Sequence, residues 1–170
     1  SESWFIMEAS KDAKLIMGMK KGVTKEEFLE KTEKNDFSGL FEEISVKKGD
    51  LIDINPGMVH ASLEGSVLFA EIQENSDITY RIYDFDRVEN AKKRELHLKE
   101  AADVIDFDAR AVVINTDFAN DENRKNIIKK KYYSIDKMKI NKKFEDVNKK
   151  SMIIYSILNG KGKIEYTLNN

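Results

Sequence analysis

The chain has 170 residues, enough for one good core or one core plus a small appendage, and its 41% hydrophobic and 35% charged content suits a soluble globular protein. Its 29 basic and 31 acidic residues leave a net charge of -2, so no strong field draws in nucleic acid or an anionic membrane. There is no cysteine, which excludes disulfides, thiolate metal sites and a cysteine nucleophile. No apolar run reaches the length of a membrane span and the first residues lack the pattern of a signal peptide, so a cytoplasmic protein is expected.

Residues 4–8 and 13–19 are short apolar runs separated by a polar turn, and both read as buried strands. Residues 24–34 read as a helix, because Thr24 and Glu27 form a capping box and Phe28 and Leu29 supply an apolar side. Residues 44–46, 51–54 and 67–70 read as short strands. The turns between them are Lys47-Lys48-Gly49-Asp50, Asn55-Pro56-Gly57 and Glu64-Gly65. Such closely spaced strands predict an antiparallel barrel or sandwich. Residues 78–83 add a further strand and residues 99–106 a short helix. Residues 119–131 read as a polar loop or short helix. Strands are expected over 132–140 and 151–158, the latter turning at Asn159-Gly160-Lys161-Gly162 into 163–168.

His60 follows the Pro-Gly turn at a strand end, where a neutral imidazole can be aimed at a metal or serve structurally. His97, near a helix start, reads as a partly buried structural histidine. Glu2 precedes an apolar strand and by itself reads as a solvated charge. Glu71 sits between Ala70 and Ile72; a carboxylate there faces solvent or a polar cavity, because burying it unpaired costs several kcal/mol. Asp77 and Arg81 read as a surface ion pair or as a substrate clamp with a permanent cation. Trp4, Phe5, Tyr80, Tyr83 and Phe85 read as core or pocket walls. Gly160-Lys161-Gly162 is a very weak dinucleotide signal, since no helix pattern follows it.

Several of these pieces, taken in order, resemble the bacterial type I mannose-6-phosphate isomerases. They are Ser1-Glu2-Ser3-Trp4-Phe5-Ile6, Lys48-Gly49-Asp50, Pro56-Gly57-Met58-Val59-His60-Ala61, the run Glu71 to Arg81, Tyr83-Asp84-Phe85-Asp86-Arg87 and Arg94-Glu95-Leu96-His97. The resemblance runs from residue 1 to about 107 and continues more weakly to the end. It implies a mainly β, cupin-type jelly-roll or β-sandwich with a few short helices. Residues 1–107 would carry the metal and sugar-phosphate region, and residues 108–170 an incomplete second cupin unit. It implies interconversion of mannose 6-phosphate and fructose 6-phosphate with zinc (Zn2+), Glu2 and His60 as ligands, Arg81 and Glu71 as catalytic groups, and Asp77 and Tyr80 beside the substrate.

The sequence departs from that family in having no Gln-x-His segment, so two zinc ligands are expected here and weakened affinity with them. The chain thus resembles the middle half of a full isomerase. The alternatives are a non-catalytic cupin-like module that binds sugar phosphates, and a fragment that forms a homodimer along an unpaired strand edge.

Overall fold

The computed structural model describes residues 1–76, 78–84, 87–89, 92–119, 123–147 and 151–167. The first strand, β1 (Glu2–Ala9), is followed by β2 (Lys14–Met19), α1 (Lys25–Glu33), β3 (Phe41–Ser45), β4 (Asp50–Ile54), β5 (His60–Glu64) and β6 (Val67–Gln73). Then come the two-residue strands β7 (Val88–Glu89) and β8 (Lys92–Lys93), α2 (Leu98–Val104), β9 (Val112–Asn115), β10 (Arg124–Lys129) and β11 (Ser134–Met138). One antiparallel sheet has the order β6-β1-β4-β9 and a second the order β3-β2-β5, with β7-β8 and β10-β11 as separate hairpins.

Alternation decides which side chains enter the core. Trp4 and Ile6 of β1 and Ile52 and Ile54 of β4 meet Leu15 and Met17 of β2 in one buried cluster. Two sheets closing over shared apolar faces make the sandwich expected from the strand spacing. Each such large side chain contributes about 1.5–3 kcal/mol on burial. A second cluster, Met19, Phe28, Leu40 and Ala102, lies under α1 and α2. The N-cap half of the capping box is present: Thr24 accepts a bond from the Glu27 amide at 3.2 Å and starts α1.

The opposite face of β1 is covered as well. Ser3 is fully buried, with its hydroxyl 2.9 Å from that of Tyr133. The Lys137 ammonium lies over the rings of Phe5 and Phe118 and donates to the Thr116 carbonyl at 3.1 Å. Residues beyond 107 therefore return to the first sheet, by the pairing of β9 with β4 and by the packing of the β10–β11 hairpin.

Three expectations are corrected. Residues 78–83 form no strand, because the Arg81 amide donates to His97 Nδ1 at 3.1 Å and its carbonyl accepts from the His97 amide at 2.8 Å, which joins two loops instead. Residues 124–129, read as loop or helix, form β10. Asp136 on β11 receives both Arg124 and Asn126, and these cross-strand bonds are invisible to periodicity. The hairpin over 151–158 and 163–168 is not formed among the described residues 151–167. Met152 and Ile154 there remain exposed, and an isolated two-stranded ribbon without a sheet to pack on is marginal. No helix among the described residues is long and apolar enough to cross a membrane.

Candidate active site

Glu2 opens β1 on the face that carries Trp4 and Ile6, so its carboxylate emerges at the end of the core rather than inside it. The neighbouring strand β6 pairs with β1 so that Gln73 stands opposite Glu2 and Glu71 opposite Trp4. Glu2 and Glu71 are diagonal neighbours on one face, within reach of each other. From the second sheet, β5 pairs with β2 and sets His60 opposite the buried Met17. His60 is the first residue of β5, just after the Pro-Gly turn that follows β4.

The turn that delivers His60 is closely fixed. Met58 donates its amide to the Asn55 carbonyl at 3.1 Å, and Gly57 takes a positive φ of 84°. A Cβ on Gly57 would stand 2.7 Å from the Val104 carbonyl oxygen, at the end of α2. Only glycine fits both the conformation and the space.

His60 Nδ1 is 2.9 Å from the Met58 carbonyl oxygen, so that nitrogen carries a proton. Nε2 is turned to Glu2 Oε1 at 2.7 Å. The Trp4 ring meets the imidazole edge-on at 5.4 Å and stacks on Phe69 at 4.2 Å, forming the floor of the site. Burial opposes charge on His60. The bonds to Glu2 and to the Met58 carbonyl, with the charges of Glu2 and Glu71, outweigh it and raise the pKa above the ordinary histidine value. Burial likewise works to raise the Glu2 carboxyl, but its bond to His60, the His60 charge and its bond with Glu71 hold it below the usual value. Burial, the bond to Glu2 and the Glu2 charge push Glu71 the other way, above its usual value. The two neighbouring carboxyls are thus pushed apart, Glu2 downward and Glu71 upward.

The other expected residues stand nearby but are not in this triad. Arg81 is 3.9 Å from the buried Asp84 through Nε, and its guanidinium lies 3.4 Å from the Glu95 carbonyl. Arg94 grips the same Asp84 with two nitrogens, one at 2.8 Å. The bond from Arg94 holds the Asp84 carboxyl below the usual range against opposing burial, and the charges of Arg94, Arg81 and Arg87 add to it. Tyr80 packs edge-on against His97 at 6.1 Å, and His97 is partly buried at the start of α2. Asp77, Phe85 and Asp86 lie outside the described residues. Sequence reasoning missed Asp84 as the shared partner of Arg81 and Arg94; the signal available was its place in a segment that carried the family resemblance.

A metal can be tested against these donors. Neutral His60 with its proton on Nδ1 presents a bare Nε2, and Glu2 presents carboxylate oxygen; both are zinc donor types, and the Met58 carbonyl is the kind of outer partner that fixes a ligating imidazole. They fit as two members of a donor set. No group of three or more histidine, aspartate or glutamate side chains among the described residues is placed to hold a metal ion.

No family model matches the chain. It is 35% identical over 96% of its length to the "Probable mannose-6-phosphate isomerase GmuF" of Bacillus subtilis, of which it covers 52%. It is 32% identical over 96% of its length to the "Mannose-6-phosphate isomerase ManA" of the same organism, again covering 52% of it. The crystal structure of the mannose 6-phosphate isomerase from Bacillus subtilis superposes with a TM-score of 0.71 at 31% identity, over 82% of this chain and 45% of that one. The chain spans about half the length of the curated relatives it matches.

Proposed function

We propose, from the homology of nearly the whole chain to one half of the mannose-6-phosphate isomerases, that it carries half of such an isomerase's active site and serves the interconversion of mannose 6-phosphate and fructose 6-phosphate. The observation that carries this reading is the convergence of Glu2, His60 and Glu71 at one end of the sandwich, with His60 held by the Met58 carbonyl. The reaction moves a proton between C1 and C2 of the sugar through an enediol. Its barrier lies in removing a carbon-bound proton and in stabilising the oxyanion that results.

In this reading Glu2 and His60 hold zinc together with donors from outside the chain, and zinc, when bound, supplies polarisation of the sugar oxygens. Glu71 stands beside both ligands, placed to hold a sugar hydroxyl or exchange a proton with it. Trp4 closes the apolar side and keeps water from the floor of the site. Arg81 supplies a fixed cation toward the developing negative charge, and the buried Asp84 limits where its guanidinium can go. Asp77 and Tyr80 would contact the sugar. The proposed setting is the cytoplasm, because an ionised sugar phosphate does not cross a membrane unaided.

The test is an isomerase assay with added zinc, on this chain alone and on the chain fused to the preceding segment of a full-length relative. Alone, it should retain little zinc and show negligible turnover; fusion should raise both. Full turnover of the chain alone would overturn the half-site. A fused protein that holds zinc but does not isomerise would overturn the isomerase reading. In the fused protein Arg81→Ala should lower kcat by about a hundredfold or more; near-normal turnover would remove Arg81 from the mechanism.

A further inference from the structure

The segments that carry Glu2 and His60 are also touched from the far face of the first sheet. Hairpin β10–β11 turns over Lys130 to Tyr133, and the Lys130 amide closes the turn by donating to the Tyr133 carbonyl at 2.8 Å. That one turn reaches both segments. The Tyr133 hydroxyl lies 2.9 Å from the hydroxyl of Ser3, the residue after Glu2. The Lys130 ammonium donates to Asn55 Oδ1 at 2.8 Å, and Asn55 opens the turn that leads into His60.

These contacts are buried. Ser3 exposes no surface, and the side chains of Lys130 and Asp53 are 13% and 16% exposed. Asp53 pairs with the Lys130 ammonium, and its Oδ1 makes no hydrogen bond among the described residues. Stripping a carboxylate of water is costly, so the charge of Lys130 is what compensates it and the pairing holds Lys130 in place. Ser3 and Asp53 stand opposite each other across β1 and β4. The Tyr133 and Lys130 contacts therefore fall on adjoining strands of one sheet face.

The path from Lys130 to the imidazole is short. The Asn55 carbonyl accepts from the Met58 amide at 3.1 Å, and the Met58 carbonyl meets His60 Nδ1 at 2.9 Å. Other bonds hold the later residues of the turn: the Asp106 amide donates to the Gly57 carbonyl, and the Gly18 amide to the Val59 carbonyl at 2.7 Å. Asn55, where the turn starts, is held by Lys130. Fixing both ends of a turn lowers the freedom of the carbonyl between them to swing away from its partner. We infer that Lys130 and Tyr133 are positioning residues: hairpin β10–β11 braces the Glu2 strand and the His60 turn from behind and so keeps the imidazole aimed at Glu2. Residues beyond 107 thereby act on a pair of side chains that lies before them. The brace stands on this chain's own bonds; that the pair it aligns receives zinc rests on the isomerase reading above.

Nuclear magnetic resonance of this chain tests it, on the parent, Lys130→Ala, Lys130→Arg and Tyr133→Phe. The chain has two histidines, so the His60 imidazole is readily told from that of His97. In the parent, the proton on His60 Nδ1 should exchange slowly with solvent. Lys130→Ala should quicken that exchange by about tenfold, as for loss of a charge-assisted hydrogen bond, and Tyr133→Phe by less. Lys130→Arg keeps the cation and should restore the slow proton. The amides of β2, the central strand of its sheet, report general loosening and should change less than His60. Should Lys130→Ala fail to fold, Tyr133→Phe carries the test, since it removes a single hydroxyl. An unchanged His60 proton in the folded variants would overturn the brace. Equal quickening at His60 and β2 would overturn it too, because a merely structural hairpin loosens both alike. Quickening confined to His60, beside a fused protein that takes up no zinc, would leave the brace standing and overturn the isomerase reading instead.

Discussion

At the scale of single residues, the molecule sets two unlike electrostatic arrangements. At one end of β5, His60 is held by a carbonyl and a carboxylate; elsewhere, Arg94 and Arg81 gather round Asp84. Replacing His60 removes one of two donors from the proposed zinc set. His60→Ala in a zinc-loaded fused isomerase should lower zinc affinity by orders of magnitude, read by competition with a metal chelator. Unaltered affinity would show that His60 is not a ligand. Asp84 gives a test in pH. Its folded pKa lies below the ordinary value, so its pairing stabilises fully above the usual aspartate range, near pH 4, and is lost as the pH falls through the folded value. The urea midpoint of the parent should therefore exceed that of Asp84→Asn at neutral pH and converge on it in acid. A difference that stays constant with pH would show that the ion pair contributes nothing.

At the scale of elements, the turns and caps decide where the functional strands begin. Thr24 caps α1, and Thr24→Ala should cost about 1 kcal/mol of stability, seen as a lower urea midpoint with an unchanged slope. Gly57 is more consequential. Its carbonyl accepts from the Asp106 amide at 3.0 Å, so the turn before His60 is clamped to the end of α2. Gly57→Ala forces an unfavourable φ and a clash with the Val104 carbonyl, and should cost about 1–3 kcal/mol. Equal midpoints for this variant and the parent would mean that the turn relaxes freely and does not fix His60.

At the scale of the whole molecule, the hairpin β10–β11 is tied to the far face of the first sheet by few but specific contacts. Lys130 pairs with the largely buried Asp53 and donates to Asn55 at 2.8 Å. Lys130→Ala leaves the Asp53 carboxylate short of its cation and should destabilise the chain by about 1–3 kcal/mol. Amide exchange should quicken first across Arg124–Lys129 and Ser134–Met138, because among the described residues these strands pair only with each other. Exchange that quickens uniformly would show the hairpin and the sandwich to be one cooperative unit.

How much of this was legible beforehand follows from the range of each interaction. Apolar runs, the Thr24–Glu27 box and the Gly turns act between near neighbours, so residues 1–76 were readable as a mainly β sandwich with the first helix in place. The segment resemblance likewise located Glu2, His60, Glu71 and Arg81 one by one. What the sequence could not supply was who meets whom. Whether Glu71 shares a face with Glu2 depends on the register of β6 against β1, and a slip of one residue would turn it away. Arg81 meets Asp84 where the loops at Arg81 and His97 bond to each other, and β10 forms by pairing with β11, on which Asp136 receives Arg124. Local pattern by itself determined β1, β2, β4, β6, the first helix and the chemical types of the candidate residues, but gave neither β5 nor β9. Pairing across 10 to 70 positions of sequence was decided by the tertiary structure alone, since hydrogen bonds and charges act through space and leave no period in the chain.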